Sequence, residues 1–374
     1  MKTIKETLIG TMKNGKNILN EIAVSEKVGK DFSLDKTRTQ RIVDQLHPAV
    51  LNLRISEIIP ATKDAKTIRF VSENGYLPPF EAGQYINVAV EIDGVRTTRP
   101  YSICSSPRQR AYYEITVARI KGGFVSDYFL DRAKVGDTLQ ANGAFHFNPV
   151  FHYKRSVFLA GGSGITPFMS MIREILERGL EREVHLLYGA RNKESAIFDS
   201  ELKAFAKTYP NFTYTLILSD KDAKGGDRSG FIDANCISEV VKDLSKTTFY
   251  LCGPQVMTDF CVEALHSLNV RPRDIRREMF GTRQDIQNEP GFPQELSGTE
   301  VFKLKVGDKI IDAKCNESIL CALERAGVRV NVCCRSGECS LCRVKLVSGK
   351  VFMPRGVLLR HADEMFGYIH SCKA

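Results

Sequence analysis

The sequence lacks the features of a membrane-spanning or secreted protein. None of its apolar runs approaches the roughly 20 residues that a membrane helix needs, and the N-terminus lacks the apolar stretch of a signal peptide. The chain has eleven cysteines, an odd number with no regular pairing. That pattern argues against a disulfide framework and indicates a reducing compartment, so we expect a cytoplasmic protein.

Nucleic-acid binding is also disfavoured, although the net charge is +9. Lysine and arginine are scattered among acids rather than clustered, and neither a recognition helix nor a base-stacking motif is present. The 374 residues are enough for two or three domains, and a hydrophobic fraction of 43% supports real cores.

What the sequence does have is a set of cysteines near its C-terminus. Cys334, Cys339 and Cys342 follow a C-x4-C-x2-C spacing, and Cys372 comes after a long gap. This is the plant-type ligand spacing of a [2Fe–2S] cluster. Gly337 lets backbone N–H groups turn inward toward the sulfides. Structural zinc is the rival interpretation, but it prefers two C-x2-C pairs or cysteine with histidine.

The other cysteines are expected to be bystanders. Cys333 directly precedes the first ligand, and we expect it to point away because adjacent loop residues point apart. The remaining six lie singly and are interpreted as small buried hydrophobes: Cys104, Cys236, Cys252, Cys261, Cys315 and Cys321.

Changes in residue pattern divide the chain into five parts. Short strands bounded by Gly, Pro or Asp predict an antiparallel β-barrel, and alternating strands and helices then predict an α/β domain with a parallel sheet. A Gly- and Pro-rich linker precedes a hairpin, a helix and the cluster loop, an α+β domain. The predicted boundaries are 1–47 for an N-terminal helical extension, 48–150 for the barrel, 151–280 for the α/β domain, 281–299 for the linker and 300–374 for the last domain.

The Lys-rich extension, residues 1–47, has two interpretations. Its weak apolar periodicity fits a helical cap packed on the barrel, which we favour. An arm that docks a partner or a membrane surface is the alternative.

The loop from Gly161 to Pro167 lies between a predicted strand and a predicted helix. Its glycines allow the backbone to approach a pyrophosphate, and a helix N-terminus offers free N–H groups and a positive dipole end. The spacing differs from the G-x-G-x-x-G fingerprint, so that motif is not claimed. A tight strand-to-helix turn would look the same.

Four motifs in order carry a family resemblance. They are Arg99-Pro100-Tyr101-Ser102, Gly122-Gly123-Phe124-Val125-Ser126, Gly161 to Pro167, and Leu251-Cys252-Gly253-Pro254. Together they resemble the ferredoxin–NADP reductase superfamily, over about residues 50–374. With a plant-type ferredoxin (β-grasp) domain at the C-terminus, the chain is similar to reductase components of oxygenases and desaturases, of the phenylacetyl-CoA oxygenase reductase type.

The resemblance implies roles on the flavin side. Arg99, beside Pro100, would hold the FAD phosphates with its planar two-pronged donor. Tyr101 would lie against the isoalloxazine ring, and Ser102 would hydrogen-bond near flavin N5. Contacts to the pyrophosphate favour FAD over FMN and would come from Gly122, Gly123 and Ser126.

The resemblance also implies roles on the nicotinamide side. Cys252 would sit beside the nicotinamide C4, Glu278 near the flavin edge, and Phe280 would stack on a ring. Ser102, Cys252 and Glu278 are therefore the candidate catalytic residues. The dinucleotide would be bound by Gly162, Gly164, Ile165, Thr166, Gly253 and Pro254.

The choice of nucleotide rests on the end of the second strand of the α/β domain, Leu187 to Asn192. This segment has no Asp or Glu to bind a ribose 2′-hydroxyl, whereas Arg191 could pair with a 2′-phosphate. NADPH is slightly favoured, and NADH stays open.

The predicted function follows from the electron counts of the cofactors. NAD(P)H gives two electrons as hydride, an iron–sulfur cluster takes one at a time, and a flavin does both. We therefore expect electrons to pass from NAD(P)H to FAD, to [2Fe–2S] and to a separate oxygenase, desaturase or other metalloenzyme. A tightly bound subunit of a larger complex, as in some dihydroorotate dehydrogenases, is the alternative; a redox-sensing scaffold is a third.

Overall fold

The computed structural model describes residues 4–28, 38–46, 48–120, 123–145, 153–279, 286–354, 357 and 359–374. Two units are distinguished, Met1–Ala49 and Val50–Ala374. Within the described residues, no helix has the length and apolar character needed to cross a membrane.

The first unit contains three helices, α1 (Ile4–Gly10), α2 (Gly15–Val28) and α3 (Arg38–Leu46). The predicted helical extension is therefore helical in its described part. A Cβ on Gly15 would lie 1.9 Å from the carbonyl oxygen of Ile9, so the turn between α1 and α2 requires glycine. Apolar side chains stay exposed on all three helices, among them Leu8, Ile18 and Ile42.

The second unit begins with a curled antiparallel sheet in the order β4-β3-β6-β1-β2-β5. Its strands are β1 (Leu51–Thr62), β2 (Ala65–Ser72), β3 (Tyr85–Ile92), β4 (Val95–Ser102), β5 (Tyr113–Ala118) and β6 (Thr138–Phe145). The alternation predicted for β1 holds, because Leu51, Leu53 and Ile55 face the core. A bridge between Ile103 and Ile115 partly closes the sheet into a half-barrel. A short helix, α4 (Phe124–Asp127), follows β5.

The next domain is a six-stranded parallel sheet in the order β10-β9-β8-β7-β11-β12. Its strands are β7 (Arg155–Gly161), β8 (Glu183–Ala190), β9 (Phe212–Leu218), β10 (Arg228–Ser229), β11 (Thr247–Cys252) and β12 (Ile275–Glu278). The helices are α5 (Ile165–Glu177), α6 (Asp199–Thr208), α7 (Ala234–Val240) and α8 (Gln255–Ser267). The strand order reverses between β7 and β11, so a ligand crevice is expected at their carboxyl ends.

The described part of the C-terminal domain contains two antiparallel strand pairs and two short helices. The elements are β13 (Val301–Val306), β14 (Lys309–Lys314), α9 (Ile319–Arg325), β15 (Arg343–Lys345), α10 (His361–Met365) and β16 (Tyr368–His370). β13 pairs with β14, and β15 with β16. The described part of the preceding linker is not purely extended, because the ring of Phe292 packs edge-to-face on Phe352 at 5.3 Å.

Candidate functional site

Strand β4 carries the first motif at the edge of the half-barrel. Arg99 Nη1 donates to Thr97 Oγ1 at 2.6 Å and to the Thr98 carbonyl at 2.8 Å. Tyr101 packs edge-to-face on Phe129 at 5.8 Å, and burial raises the pKa of its phenol. The motif is therefore held in place by contacts within its own domain.

Ser102 ends β4 and differs from its neighbours in the motif. Its side chain is buried, yet among the described residues its hydroxyl has no hydrogen-bond partner. A buried polar atom without a partner costs free energy, on the order of 1–3 kcal/mol, unless a ligand satisfies it. This orphaned hydroxyl fits a hydrogen bond to a bound cofactor, as the resemblance implies for flavin N5.

The second motif forms the start of α4. Gly123 is the N-cap of this helix, and a Cβ there would lie 2.2 Å from Ser126 Oγ, so the close turn requires glycine. Ser126 Oγ accepts from the Ile120 amide at 3.3 Å. Gly122 lies outside the described residues.

The glycine loop after β7 lies in the expected crevice. Gly162 has a φ of +53°, which favours glycine. A Cβ on Gly164 would lie 2.0 Å from the carbonyl oxygen of Cys252, so this position lets the loop pass directly over the end of β11. The structure thus brings the third and fourth motifs together at the switch point.

Helix α5 begins at Ile165 in this crevice. Its N-cap, Gly164, makes no side-chain cap in the described structure. The Ile165 amide donates to the Gly162 and Ser163 carbonyls, and Pro167 has no N–H, so an anion here would rely on the positive end of the helix dipole and on the remaining amides. The Thr166 hydroxyl donates to the Ser163 carbonyl at 2.8 Å. Across the crevice, Gly253 packs on the Gly161 backbone, and Pro254 caps α8.

Two ionisable side chains lie side by side at the ends of β11 and β12. Cys252 and Glu278 are partners in the strand register, and both are buried. Burial, and secondly the Glu278 carboxylate, raise the pKa of the Cys252 thiol well above its usual value. Burial, and secondly the Glu338 carboxylate, raise the pKa of Glu278 in the same way. Cys252 is thus a protonated thiol rather than a charged nucleophile at neutral pH.

Glu278 also lacks internal partners. Within the described part of the chain, neither of its carboxylate oxygens has a hydrogen-bond partner. Glu338, which influences its pKa, belongs to the cysteine loop of the C-terminal domain. Phe280, two residues further along, lies outside the described residues.

The ribose end of the crevice contains an acid that no sequence motif indicated. The Asp220 amide donates to the Arg191 carbonyl at 3.0 Å, and Asn192 Nδ2 donates to Asp220 Oδ2 at 3.4 Å. Asp220 follows β9, the neighbour of β8, so its proximity to Arg191 depends on parallel strand pairing and leaves no local sequence signal.

The cysteine loop has the backbone expected of a cluster-wrapping loop. Gly337 has a φ of +85°, and the non-glycine residues Arg335 and Ser340 adopt φ values of +56° and +57°. Amides turn inward, since Ser336 N and Cys339 N each donate to Cys334 Sγ at 3.4 Å. Such positive-φ residues persist only where the surroundings fix them, which is typical of a functional loop.

The four predicted ligands are arranged as two pairs. The thiols of Cys334 and Cys339 shift each other's pKa, as do those of Cys342 and Cys372, and Cys339 also interacts with Cys333. The second pair forms because Arg343 in β15 lies opposite His370 in β16, which brings the flanking cysteines together. Two ligands per iron suit a two-iron cluster. In the described residues, no three His, Cys, Asp or Glu side chains form a group that could hold a single metal ion.

The expectation that Cys333 points away from the ligands is not confirmed. Its buried thiol lies 3.4 Å from the Tyr85 hydroxyl of the half-barrel, and the neighbouring Cys339 thiol lowers its pKa. The positive φ of Arg335, just beyond Cys334, turns the chain so sharply that the alternation of neighbouring side chains does not hold.

The cysteine loop is packed against the half-barrel. Asn87 Nδ2 in β3 donates to the Val332 carbonyl at 2.8 Å, and Arg335 Nε donates to the Thr98 carbonyl in β4 at 2.7 Å. Strand β4 carries the Arg99–Ser102 motif, so the structure brings the first motif and the cysteine loop to one place. Glu338 of the cysteine loop also lies near Glu278 of the α/β domain. The candidate residues of all three domains therefore lie close together.

Comparison with known proteins assigns a description to each domain. Residues 52–147 match the oxidoreductase FAD-binding domain, residues 158–263 the oxidoreductase NAD-binding domain, and residues 304–374 the 2Fe-2S iron-sulfur cluster binding domain.

Two curated relatives from Escherichia coli (strain K12) match most of the chain. NADH oxidoreductase HCR is 30% identical over 86% of this chain and 93% of its own length. One of the subunits of 1,2-phenylacetyl-CoA epoxidase is 29% identical over 86% of this chain and 94% of its own.

Among solved structures, phthalate dioxygenase reductase has a TM-score of 0.66. It is 28% identical and covers 86% of this chain and 94% of its own. It is described as a modular structure for electron transfer from pyridine nucleotides to [2Fe–2S].

Proposed function

Because this chain belongs to the ferredoxin–NADP reductase superfamily, in the branch with a C-terminal plant-type [2Fe–2S] domain, we propose that its motifs and cysteines hold the cofactors of an electron-transfer reductase. The protein is an NAD(P)H-dependent oxidoreductase that passes electrons through FAD and a [2Fe–2S] cluster to a separate acceptor. When bound, the flavin converts hydride transfer into single-electron transfer.

One observation carries the residue assignments. The cysteine loop contacts β3 and β4 of the FAD-binding domain, through Asn87–Val332 at 2.8 Å and Thr98–Arg335 at 2.7 Å. Strand β4 also carries Arg99 and Ser102, so the one-electron site adjoins the flavin motif. Proximity of this kind is what electron transfer between two cofactors requires.

The flavin would be held mainly from β4 and α4. Arg99 holds the phosphates, Tyr101 contacts the ring, and Ser102 donates to N5. The role of Ser102 is supported by its buried hydroxyl, which has no hydrogen-bond partner in the described structure. Gly123 and Ser126, with Gly122, bind the pyrophosphate, and the close turn at Gly123 supports that role.

The nicotinamide would lie between Cys252 and the flavin. Gly162, Gly164 and the N-terminus of α5 with Thr166 bind the dinucleotide phosphates, which the close glycine turn at the strand switch point supports. Neutral Cys252 lines the hydride site beside Glu278, whose pKa burial raises well above its usual value, so Glu278 can donate or accept one proton there. Phe280 stays a proposed ring contact.

The cluster would be ligated by Cys334 and Cys339 on one iron and by Cys342 and Cys372 on the other. The two thiol pairs support this assignment. Cys333 is not assigned as a ligand. A cytoplasmic location is consistent with eleven cysteines of which none forms a disulfide.

For the nucleotide, we propose that NADH is used in preference to NADPH. Arg191 alone leans toward NADPH. However, the Asp220 amide donates to the Arg191 carbonyl, and the Asp220 carboxyl accepts from Asn192 Nδ2. At this strand end the carboxyl can accept from a ribose 2′-hydroxyl and would repel a 2′-phosphate. The name of one relative, NADH oxidoreductase, supports this choice.

For the acceptor, we propose the metal centre of a terminal oxygenase. The epoxidase component and the dioxygenase reductase among the similar proteins support this class. A desaturase or another metalloenzyme is the nearest alternative.

The experiment combines cofactor analysis with kinetics. Purified protein should contain one FAD, two iron and two sulfide per chain, and NADH should reduce first the flavin and then the cluster. If the Arg191 side chain binds the 2′-phosphate of NADPH, Arg191→Ala should lower kcat/KM for NADPH and leave that for NADH unchanged. Stoichiometric zinc without sulfide would contradict the cluster assignment.

A further inference from the structure

An arginine of the cysteine loop is buried in the FAD-binding domain. Arg335 is 2% exposed. Its guanidinium donates through Nε to the Thr98 carbonyl at 2.7 Å and through Nη2 to Thr97 Oγ1 at 3.2 Å, and it forms an ion pair with Glu324 of α9. A buried arginine is tolerated only when its charge and donors are satisfied, so these contacts hold the loop in one place.

The proposed phosphate-binding arginine uses the same partners. Arg99 Nη1 donates to Thr97 Oγ1 and to the Thr98 carbonyl, and it lies 3.8 Å from Glu324 Oε2. One carboxylate therefore serves two arginines, one from each domain. Glu324 contacts Arg335 through Oε1 and reaches Arg99 only at the limit of an ion pair.

The cluster of two arginines and one glutamate carries an excess positive charge. Burial, and secondly the positive charge of Arg335, lower the pKa of Arg99, which shows that its charge is incompletely compensated. An anion bound at Arg99 would neutralise the excess positive charge, and the FAD phosphates have the required negative charge.

We propose that Arg335 is a positioning residue for FAD binding: it holds Glu324 away from Arg99, so that docking of the ferredoxin domain keeps Arg99 available for the FAD phosphates. This inference rests on the proposed role of Arg99. Coupling between sites is reciprocal, so bound FAD also stabilises the docked ferredoxin domain. Loss of Arg335 leaves Glu324 to pair with Arg99 and to compete with the phosphates.

The test compares single and double substitutions in the holoprotein. FAD release after dilution is followed by the rise in FAD fluorescence. Arg335→Gln should release FAD about tenfold faster, as expected when one charge-assisted contact is lost. Arg335→Gln combined with Glu324→Gln should return to within about twofold of the wild type, because the competing carboxylate is gone. A purely structural role for Arg335 predicts no such rescue, and its absence would overturn the proposal.

Two further variants serve as controls for this test. Arg325→Gln, on the same helix α9 but paired with Glu317, should leave FAD release unchanged. Because Arg335 adjoins Cys334, iron content is measured for every variant. If the Arg335→Gln protein lacks its cluster, the single variant Glu324→Gln tests the proposal instead. Glu324→Gln should release FAD no faster than the wild type. Faster release would refute the coupling.

Arg99→Gln separates this inference from the proposed function. If Arg99→Gln retains FAD as tightly as the wild type, the phosphate role of Arg99 is wrong. If Arg99→Gln releases FAD while Arg335→Gln does not, Arg99 keeps its role and only the coupling fails.

Discussion

The two sides of the site differ in how their polar groups are satisfied. On the nucleotide side, Ser102 and Glu278 are buried with side-chain oxygens that lack partners in the described structure. On the ferredoxin side, Arg335 is equally buried, yet its guanidinium is bound to Thr97, Thr98 and Glu324. The first arrangement is stable only with ligands in place, whereas the second needs none. At these three residues, the unpaired oxygens lie at the proposed cofactor sites, and the paired guanidinium lies at the contact between domains.

The largest expected effect separates the two sides completely. Cys339→Ser should lose the cluster, because thiolates are its ligands, and lower NADH-driven cytochrome c reduction by about a hundredfold or more. Flavin-mediated ferricyanide reduction should be largely spared. Cys315→Ser, a substitution in the same domain outside the cluster loop, is the control. Equal loss of both activities would show that the two sides are not separable.

The next substitution addresses the unpaired hydroxyl. Ser102→Ala should slow flavin reduction by NADH about 10- to 100-fold in stopped-flow measurements, because a contact to the reacting atom is removed. FAD content should be unchanged. The matched control is Ser105→Ala, since the Ser105 hydroxyl is also buried but already accepts from the Glu114 amide. Similar rates for the two variants would contradict the distinction between unpaired and paired groups.

A smaller effect is expected at the ribose end. Asp220→Ala should raise kcat/KM for NADPH about 3- to 10-fold by removing a negative charge beside Arg191, while kcat/KM for NADH falls or stays constant. Asp222→Ala, an exposed acid in the same loop, should change neither. If Asp220→Ala leaves the ratio of the two nucleotides unchanged, Asp220 does not contact the ribose.

The smallest effect is a change in pH dependence at Glu278. The raised pKa means that the folded protein keeps a proton that the unfolded chain loses above about pH 4.3. The stability that Glu278 contributes is full below that pH and is lost as the pH rises toward the folded pKa. Glu278→Gln mimics the protonated form, so its Tm should exceed that of the wild type by a margin that grows by about 2–4 °C between pH 5 and pH 8. Parallel Tm curves would show that Glu278 is not buried as an acid.

The part of the structure that could be predicted from the sequence is the part that local sequence patterns encode. The three-domain fold follows from strand and helix periodicity and from local motifs, and the comparisons confirm it. The positions of Gly162 and Gly337 are also local, since each has a positive φ within its own turn. Such features are encoded within a few residues.

The docking contacts were missed because no local pattern encodes them. Arg335 and Thr98 are separated by 237 positions, and Asp220 meets Asn192 only through parallel strand pairing. Cys333 was misjudged for a related reason, because the left-handed turn at Arg335 and the neighbouring Tyr85 depend on the docked domain. Long-range contacts made by single polar residues produce no periodic pattern in the sequence, so the sequence alone does not predict them.

The central claim is that the cluster receives its electrons from the flavin of the same chain, across the contact between the cysteine loop and β3–β4. The most direct measurement is anaerobic stopped-flow mixing with NADH, with flavin and cluster absorbance followed at several protein concentrations. The account predicts that the rate of cluster reduction after flavin reduction is independent of protein concentration. A rate that rises in proportion to protein concentration would mean transfer between molecules and would contradict it.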